Sequence, residues 1–187
     1  MTKEDDLKQD HRAIAAFAAR LAGGDRSSIG AATAIADEIQ AEPQRFPVVW
    51  HLLRHQEALV RMRAADALEK ASRQMPEQLQ PFKAELLSRR LEDGTPEVRW
   101  HLLAMSARLV LDRHEAKTLI DQCRDALIAD KSRIARVAAL QAAHDLAKEH
   151  PEFTRTLDEM LDVAARSDIP SLRARARKLR SGEQATS

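Results

Sequence analysis

The segment Val60-Arg61-Met62-Arg63-Ala64-Ala65-Asp66-Ala67-Leu68 decides the fold, because its pattern recurs along the chain. An apolar residue followed by arginine stands near the start of four predicted helices. The arginines are 38, 37 and 37 residues apart. They are Arg61, Arg99, Arg136 and Arg173. A constant step within the range of about 20–50 residues is typical of repeat architectures that stack identical units.

A second mark keeps the same step in the segments between these helices. Pro76-Glu77, His114-Glu115 and Pro151-Glu152 place glutamates 38 and 37 residues apart. Two independent marks with one period indicate a repeated pair of helices. We therefore expect each unit to be a helical hairpin with short loops between antiparallel helices.

Turn and capping residues precede the repeat arginines. They form the segments Asp93-Gly94-Thr95-Pro96, Asp130-Lys131-Ser132 and Asp168-Ile169-Pro170. Aspartate, serine and threonine side chains can accept hydrogen bonds from the unpaired N–H groups of a first helical turn. Small residues then recur on one helix face, as in Ala64 and Ala67, and they allow close packing of neighbouring helices.

The composition is that of one helical domain. Hydrophobic residues make up 44% and charged residues 32% of 187 residues, with five glycines and no tyrosine. These values argue against disorder and against a membrane protein. The net charge of +1 is too small to indicate nucleic-acid binding by itself. The single cysteine, Cys123, and the lack of an apolar signal segment lead us to expect a cytoplasmic protein.

The pattern resembles the HEAT repeat family, most closely in Asp93–Arg99 and Val60–Leu68. The resemblance covers about Asp25 to Arg180, and it is weaker in the first unit, where Gly30 or Ala31 replaces the arginine. It implies an all-α fold, a right-handed α-α superhelical solenoid of about four to five HEAT-like helical hairpins. Such a fold does not by itself identify a function.

The domain map follows from the repeat. We expect a single HEAT-like repeat domain over 1–180, with a capping helix at 4–22, a terminal helix at 170–180 and a disordered tail at 181–187. The units should cover about 25–54, 55–92, 93–130 and 131–168. The remaining helices are predicted over 27–40, 47–54, 56–74, 76–91, 96–111, 114–129, 132–149 and 151–166.

The repeated arginines have two interpretations. Each one can pair with an acidic residue of an adjacent unit and define the repeat structurally. Alternatively, Arg61, Arg99, Arg136 and Arg173 can form a ladder of cations that faces phosphates or acidic peptides. The period is compatible with both interpretations.

The C-terminal segment is the most basic part of the chain. Its cations are Arg173, Arg175, Arg177, Lys178 and Arg180. They can provide the polar outer face that a terminal repeat needs, or they can form an anion-binding patch. The absence of nearby aromatic residues argues against binding of single-stranded nucleic acid by base stacking.

The tetrapeptide Trp-His-Leu-Leu occurs twice, beginning at Trp50 and at Trp100. The two copies are out of register with the repeat, so we interpret the match as coincidence. Either tryptophan would serve as a binding anchor if it were exposed. Together with Arg89, Arg90 and Arg124, they are the candidate partner-binding residues, and the resemblance suggests a concave surface formed by the second helices of the hairpins.

No pattern indicates catalysis. His51 and His55 can share one helix face in the manner of two metal ligands, but a third ligand is not evident. Cys123 stands among apolar residues, which favours a buried thiol over a nucleophile. We find no phosphate-binding loop or nucleophile motif, and we predict no enzyme activity, no cofactor and no metal.

The leading hypothesis is a non-catalytic scaffold that binds another protein. The alternative is nucleic-acid binding through the basic concave or C-terminal surface, as in the HEAT-like alkylpurine DNA glycosylases. That family's catalytic aspartate is not matched one turn after either tryptophan, where Arg54 and Ala104 stand. A HEAT-like lyase that attaches a chromophore is a third, weaker alternative, and no membrane partner is expected.

Overall fold

The computed structural model describes residues 3–23, 31–88 and 95–182 as a series of packed helices, with no strand in these ranges. The α-helices are α1 (Lys3–Ala22), α2 (Ala32–Ala41), α3 (Phe46–His51), α4 (Ala58–Ser72), α5 (Lys83–Leu87), α6 (Pro96–Ser106), α7 (Arg113–Ala129), α8 (Arg133–Glu149), α9 (Thr154–Ala165) and α10 (Pro170–Ser181). Short 3-10 segments occupy Pro43–Arg45, Leu52–Arg54, Pro76–Phe82 and Pro151–Phe153.

The helices form two rows, and together they make an all-α solenoid. The first-helix row consists of α4, α6, α8 and α10, each of which begins a repeat and carries one of the four repeat arginines. These helices pack directly on one another in order along the chain. The second-helix row consists of α5, α7 and α9, which pack on the first helices and touch one another much less.

Close packing of the first-helix row follows from its buried positions. Three residues after the repeat arginine stand Ala64, Leu102, Ala139 and Ala176, all buried. The residue before the arginine is also buried in each helix. Alanine at three of the four positions lets the helix backbones approach closely, so that a continuous core runs along the solenoid.

The N-terminal helix is tied to the first well-formed repeat by a buried arginine. Arg63 on α4 is 1% exposed and donates from Nη1 to the backbone oxygen of Leu21, at 2.6 Å, and to that of Gly23. Both acceptors lie at the C-terminal end of α1, where carbonyl groups lack helical partners. The guanidinium satisfies these carbonyls and complements the negative end of the helix dipole.

The second helices are shorter and less regular than the sequence pattern predicts. The predicted helix over 76–91 is a 3-10 segment, Pro76–Phe82, followed by α5 at Lys83–Leu87. Pro81 is responsible, since it lacks an N–H group and its ring clashes with the preceding turn of an α-helix. The predicted helix over 47–54 likewise ends as α3 at His51 and continues as a 3-10 turn.

The helix α6 also ends earlier than expected, at Ser106 instead of residue 111. The chain turns after Ser106, which buries Leu109 and Leu111 and leaves Val110 76% exposed. Asp112 then caps α7 through a capping box, because its carboxylate accepts from the N–H of Glu115 while the Glu115 carboxylate accepts from the N–H of Asp112.

The predicted capping residues differ in their roles. Ser132 Oγ accepts from the N–H of Ala135 at 3.3 Å and caps α8, as expected. Thr95 makes no side-chain cap to α6, which begins instead with Pro96 at its first position. The terminal helix α10 extends through Ser181, and Gly182 follows it with a φ of 72°, a conformation that favours glycine. The rest of the predicted tail lies outside the described residues.

Candidate protein-interaction surface

Three of the repeat arginines clamp the chain, in that each donates hydrogen bonds to backbone carbonyl groups of the preceding segment. Arg136 donates from Nε to the backbone oxygen of Leu127 at 2.6 Å and from Nη2 to that of Ile128 at 2.9 Å. Arg173 reaches the backbone oxygen of Ser167 at 2.8 Å. Arg61 Nη1 donates to the backbone oxygens of His55, at 2.6 Å, and Gln56, at 2.8 Å. Each guanidinium thereby fixes the connection that leads into its own helix.

Arg99 pairs with an acidic residue, but with one of its own unit and not of an adjacent unit as expected. Its Nε and Nη2 atoms donate to the two carboxylate oxygens of Asp130 at 2.9 and 3.0 Å. For Arg136 and Arg173, the expected acidic partner is instead a backbone carbonyl. The reason is geometric: the clamped connections put C-terminal carbonyls, which lack helical partners, within reach of the guanidinium.

The residue after each repeat arginine lies on the solvent side of the first-helix row. These residues are Met62, Trp100, Val137 and Ala174, all apolar and all half-buried. One helical turn later stand Asp66, Ala104, Gln141 and Lys178, of which the first three are half-buried and Lys178 is exposed. We call these eight residues the first-helix face. Its apolar line consists of Met62, Trp100, Val137 and Ala174, one residue on each of the four first helices.

The solvent side of the second-helix row has a different character. Its exposed residues on α7 and α9 are mostly charged, and many are paired within one helix. Lys117 binds Asp121, and Arg155 donates to Glu159 at 3.3 Å. Such pairs four residues apart are typical of a solvated helix surface. Only Ile128 and Val163 are large exposed apolar side chains on these two helices.

Trp100 occupies the centre of the first-helix face and rests on a buried histidine. The ring centroids of Trp100 and His101 are 3.4 Å apart. His101 is 2% exposed, and burial lowers its pKa from 6.5 to about 4. The imidazole is therefore neutral at physiological pH. Its Nδ1 atom has no hydrogen-bond partner among the described residues.

A buried carboxylate joins α4 to the end of α6 beside this histidine. Glu69 is 3% exposed and accepts from Arg73 Nη2 at 2.9 Å and from Arg108 Nη2. Arg108 Nη1 also donates to Ser72 Oγ at 3.0 Å. Burial raises the pKa of Glu69, but the hydrogen bonds from both arginines outweigh it and hold the pKa below its ordinary value.

Hydrogen bonds also connect the C-terminal half of the first-helix face. Arg175 Nη1 on α10 donates to Gln141 Oε1 on α8 at 3.0 Å. The Gln141 amide in turn donates to both carboxylate oxygens of Asp145 at 3.0 Å. These contacts orient Gln141 between the apolar residues of two neighbouring helices.

The family comparison agrees with this architecture. A family model described as a HEAT repeat domain matches residues 18–181, which is most of the chain. The chain belongs to the HEAT repeat family. No curated protein matches the chain, and no solved structure matches it. HEAT repeat domains are commonly repeat scaffolds for protein interactions.

The five C-terminal cations of this HEAT repeat protein fall into separate groups. Arg173 is a backbone clamp, and Arg180 pairs with Asp162 on α9. Arg177 and Arg180 stand at repeat positions that inner units bury as Leu140 and Ala143, which indicates an outer cap at the end of the solenoid. Arg175 contacts Gln141 of the first-helix face, and Lys178 belongs to that face.

Trp50 does not lie on the surface of the HEAT repeat protein. It is 1% exposed and stacks on Phe82 with ring centroids 4.2 Å apart. Its Nε1 atom donates to Glu85 Oε2 at 3.0 Å. The suggestion that Trp50 anchors a partner is therefore wrong, because α3 and the 3-10 segment before α5 enclose the indole in the core.

The other suggested partner-binding residues have mixed positions. Arg124 is exposed on α7, where its Nη2 atom lies 3.1 Å from Asp121 Oδ1. Arg89 and Arg90 lie outside the described residues. Trp100 is half-buried on the first-helix face, and among the described members of this set it alone joins that surface. Met62 and Val137 also belong to the face, although no sequence motif singled them out.

The suggested histidine pair does not form a site. The α-helix ends at His51, and His55 follows the 3-10 turn in an extended conformation, so the two do not share a helix face. His55 Nδ1 accepts from the N–H of Glu57 at 3.1 Å. Among the described residues, no group of three or more histidine, cysteine, aspartate or glutamate side chains is arranged to hold a metal.

Two surface cavities contain arginines that are already ion-paired. One, of about 450 Å³, lies between the start of α6 and the end of α7 and includes Arg99 and Asp130. The other, of about 510 Å³, lies between α1 and α3 and includes Phe17, Arg20 and Arg45. Both arginines of the second cavity bind Glu38.

Cys123 is buried in α7. No helix of the described chain is long and apolar enough to cross a membrane.

Proposed function

We propose that this chain is a non-catalytic scaffold that binds another protein through the first-helix face. The observation that carries the proposal is the apolar line of Met62, Trp100, Val137 and Ala174, which reaches solvent on four consecutive helices. Repeat proteins use such extended surfaces to hold a partner segment. A large aromatic side chain at the centre of an interface is a common energetic anchor, and Trp100 has that position.

The packing of the two rows supports this choice of surface. The helices of the first-helix row lie closer to one another than those of the second-helix row. In a curved stack, the row with the shorter spacing lies on the inner side, which suits the grasp of a partner. We therefore place the contact surface on the first helices, whereas the family resemblance had suggested the second helices.

A matched pair of valine substitutions tests the proposal. Val137→Glu puts a charge in the first-helix face, while Val163→Glu puts the same charge on α9, where Val163 is 43% exposed. Each tagged variant is used to capture proteins from nuclease-treated native lysate, with the unmodified chain as reference. We expect Val137→Glu to lose the specifically retained proteins and Val163→Glu to keep them.

Thermal unfolding of both variants separates binding from folding. Val137 packs partly against the core, so its substitution also lowers stability. Capture is therefore performed well below both melting temperatures, and Met62→Gln, which removes apolar character with little change in size, serves as a second variant. Equal retention by Val137→Glu, Met62→Gln and the unmodified chain would contradict the proposal.

A further inference from the structure

We infer that the first-helix face binds an acidic peptide segment whose apolar side chains lie on α6 and α8 and whose carboxylates reach α10. This inference rests on the proposed function and adds the chemistry and the direction of the partner. It follows from the uneven distribution of charge along the first-helix face. The charges near α4 are paired with one another, whereas those near α10 are cationic.

Charges at the α4 end are compensated. Asp66 and Lys70 form an ion pair of 2.8 Å, and Lys70 also donates to Thr33 Oγ1 on α2 at 3.1 Å. These groups have partners in the folded chain already, so a ligand gains little by replacing them. The apolar line begins beside this pair at Met62.

At the α10 end, Arg175 and Lys178 have no carboxylate partner among the described residues. The helix sequence Pro170–Ser181 carries five cations and no acidic residue. Lys178 is exposed on the first-helix face, and no carboxylate among the described residues pairs with it. Arg175 beside it donates to the neutral amide of Gln141. A carboxylate from a partner would therefore meet two cations without displacing an existing ion pair.

The interval between apolar residues of the first-helix face matches the side-chain spacing of a short peptide. Packed helix axes are about 8–10 Å apart, so Trp100, Val137 and Ala174 should recur at about that interval across the face. A polyproline II segment advances about 3.1 Å per residue and has three residues per turn, so side chains three residues apart lie on one side of it, about 9 Å apart. A segment with apolar side chains every third residue and an acidic end would match the apolar line and Lys178 together.

Nucleic acid fits this surface less well. Phosphate-driven binding draws its affinity from many cation contacts, about 6–10 in a typical case, whereas the first-helix face carries Lys178 with Arg175 beside it.

A displayed library of random peptides of about 16 residues tests the inference on the full chain. We expect the selected peptides to combine apolar residues with aspartate or glutamate at one end. Lys178→Glu should weaken their binding by about tenfold, because it replaces a charge-assisted contact with repulsion. Lys117→Glu, which makes the same charge change on α7, should leave their affinity unchanged.

The outcomes separate the two proposals. Selected peptides that lack acidic residues, or that bind Lys178→Glu as tightly as the unmodified chain, overturn the acidic partner. If those same peptides do not bind Val137→Glu, the result still supports the first-helix face as the binding surface. Failure to select any peptide, or selection of peptides that ignore Val137→Glu, contradicts both. A DNA duplex of about 20 base pairs that binds more tightly than the peptides, and loses affinity with Lys178→Glu, overturns the inference in favour of nucleic acid.

Discussion

Arg99 on α6 and Asp130 after α7 are joined by two hydrogen bonds, of 2.9 and 3.0 Å, that link the two helices of one hairpin. The side chains are only 17% and 10% exposed, so the pair is largely shielded from solvent. Asp130 Oδ1 also accepts from the N–H of Ser132 at 2.7 Å and shapes the turn into α8. One carboxylate thus organises a hairpin and the entry to the next repeat.

Removal of this arginine should destabilise the solenoid. We expect Arg99→Ala to lower the free energy of unfolding by about 3 kcal/mol, because it removes both hydrogen bonds to the largely shielded Asp130 carboxylate. Urea unfolding followed by circular dichroism measures the change. Arg155→Ala is the matched control, since the Arg155 side chain is 92% exposed and its surface pair should contribute less than about 1 kcal/mol. Equal losses for the two variants would contradict this description.

The two arginines bound to Glu69 should differ in their contributions to stability. The Arg108 side chain is 25% exposed and joins α6 to Glu69 and Ser72 of α4, whereas the Arg73 side chain is 58% exposed and binds Glu69 within α4. We expect Arg108→Ala to cost about 2 kcal/mol and Arg73→Ala less than about 1 kcal/mol in unfolding free energy. A larger loss for Arg73→Ala would show that the link between the helices contributes little.

Stability should fall in mildly acidic solution because of His101. Its pKa is about 4 in the folded protein and 6.5 in the unfolded chain, so below pH 6.5 the unfolded state binds the proton first. The expected loss of unfolding free energy between pH 7 and pH 5 is about 2 kcal/mol, since one pKa unit corresponds to about 1.4 kcal/mol.

A His101→Leu variant isolates this effect, because it keeps an apolar side chain of similar size beneath Trp100. Its unfolding free energy should depend less on pH between pH 7 and pH 5 than that of the unmodified chain. The carboxylate of Glu69 titrates at lower pH, where its depressed pKa makes stability fall further in both proteins. An identical pH dependence in the two proteins would show that folding does not change the pKa of His101.

The two tryptophans should respond differently to a neutral quencher. Trp50 is 1% exposed and Trp100 is half-buried, and the chain contains no tyrosine. We expect acrylamide to quench the fluorescence of Trp50→Phe, which retains Trp100, more strongly than that of Trp100→Phe. Similar quenching of the two variants would place the Trp100 indole in the core and remove the proposed anchor.

The repeat arginines predicted most of the fold. Their step located the first helices, because in α4, α8 and α10 the guanidinium binds the connection into its own helix and therefore recurs with the repeat. The second helices were harder to predict, since Pro81 converts most of one helix into 3-10 turns while the apolar pattern continues through it. The apolar periodicity there favours an α-helix, but the proline prevents a regular α-helix from forming.

The candidate site was only partly predictable. Register alone places Met62, Trp100, Val137 and Ala174 one residue after the arginines, so this signal was present in the sequence. The burial of Trp50 was not predictable, because it depends on stacking with Phe82, a contact between segments some 30 residues apart that no local pattern encodes. The different positions of the C-terminal cations, some near the first-helix face and others on the outer cap, likewise depend on which side of α10 faces α8.

Site-specific photocrosslinking is the most direct test of the first-helix face. A photoreactive phenylalanine analogue replaces Val137 in one variant and Val163 in another, and each is irradiated with the native lysate. We predict covalent adducts to a protein from position 137 on α8 and few or none from position 163 on α9. Adducts of equal yield from both positions, or adducts to nucleic acid from position 137, would contradict it.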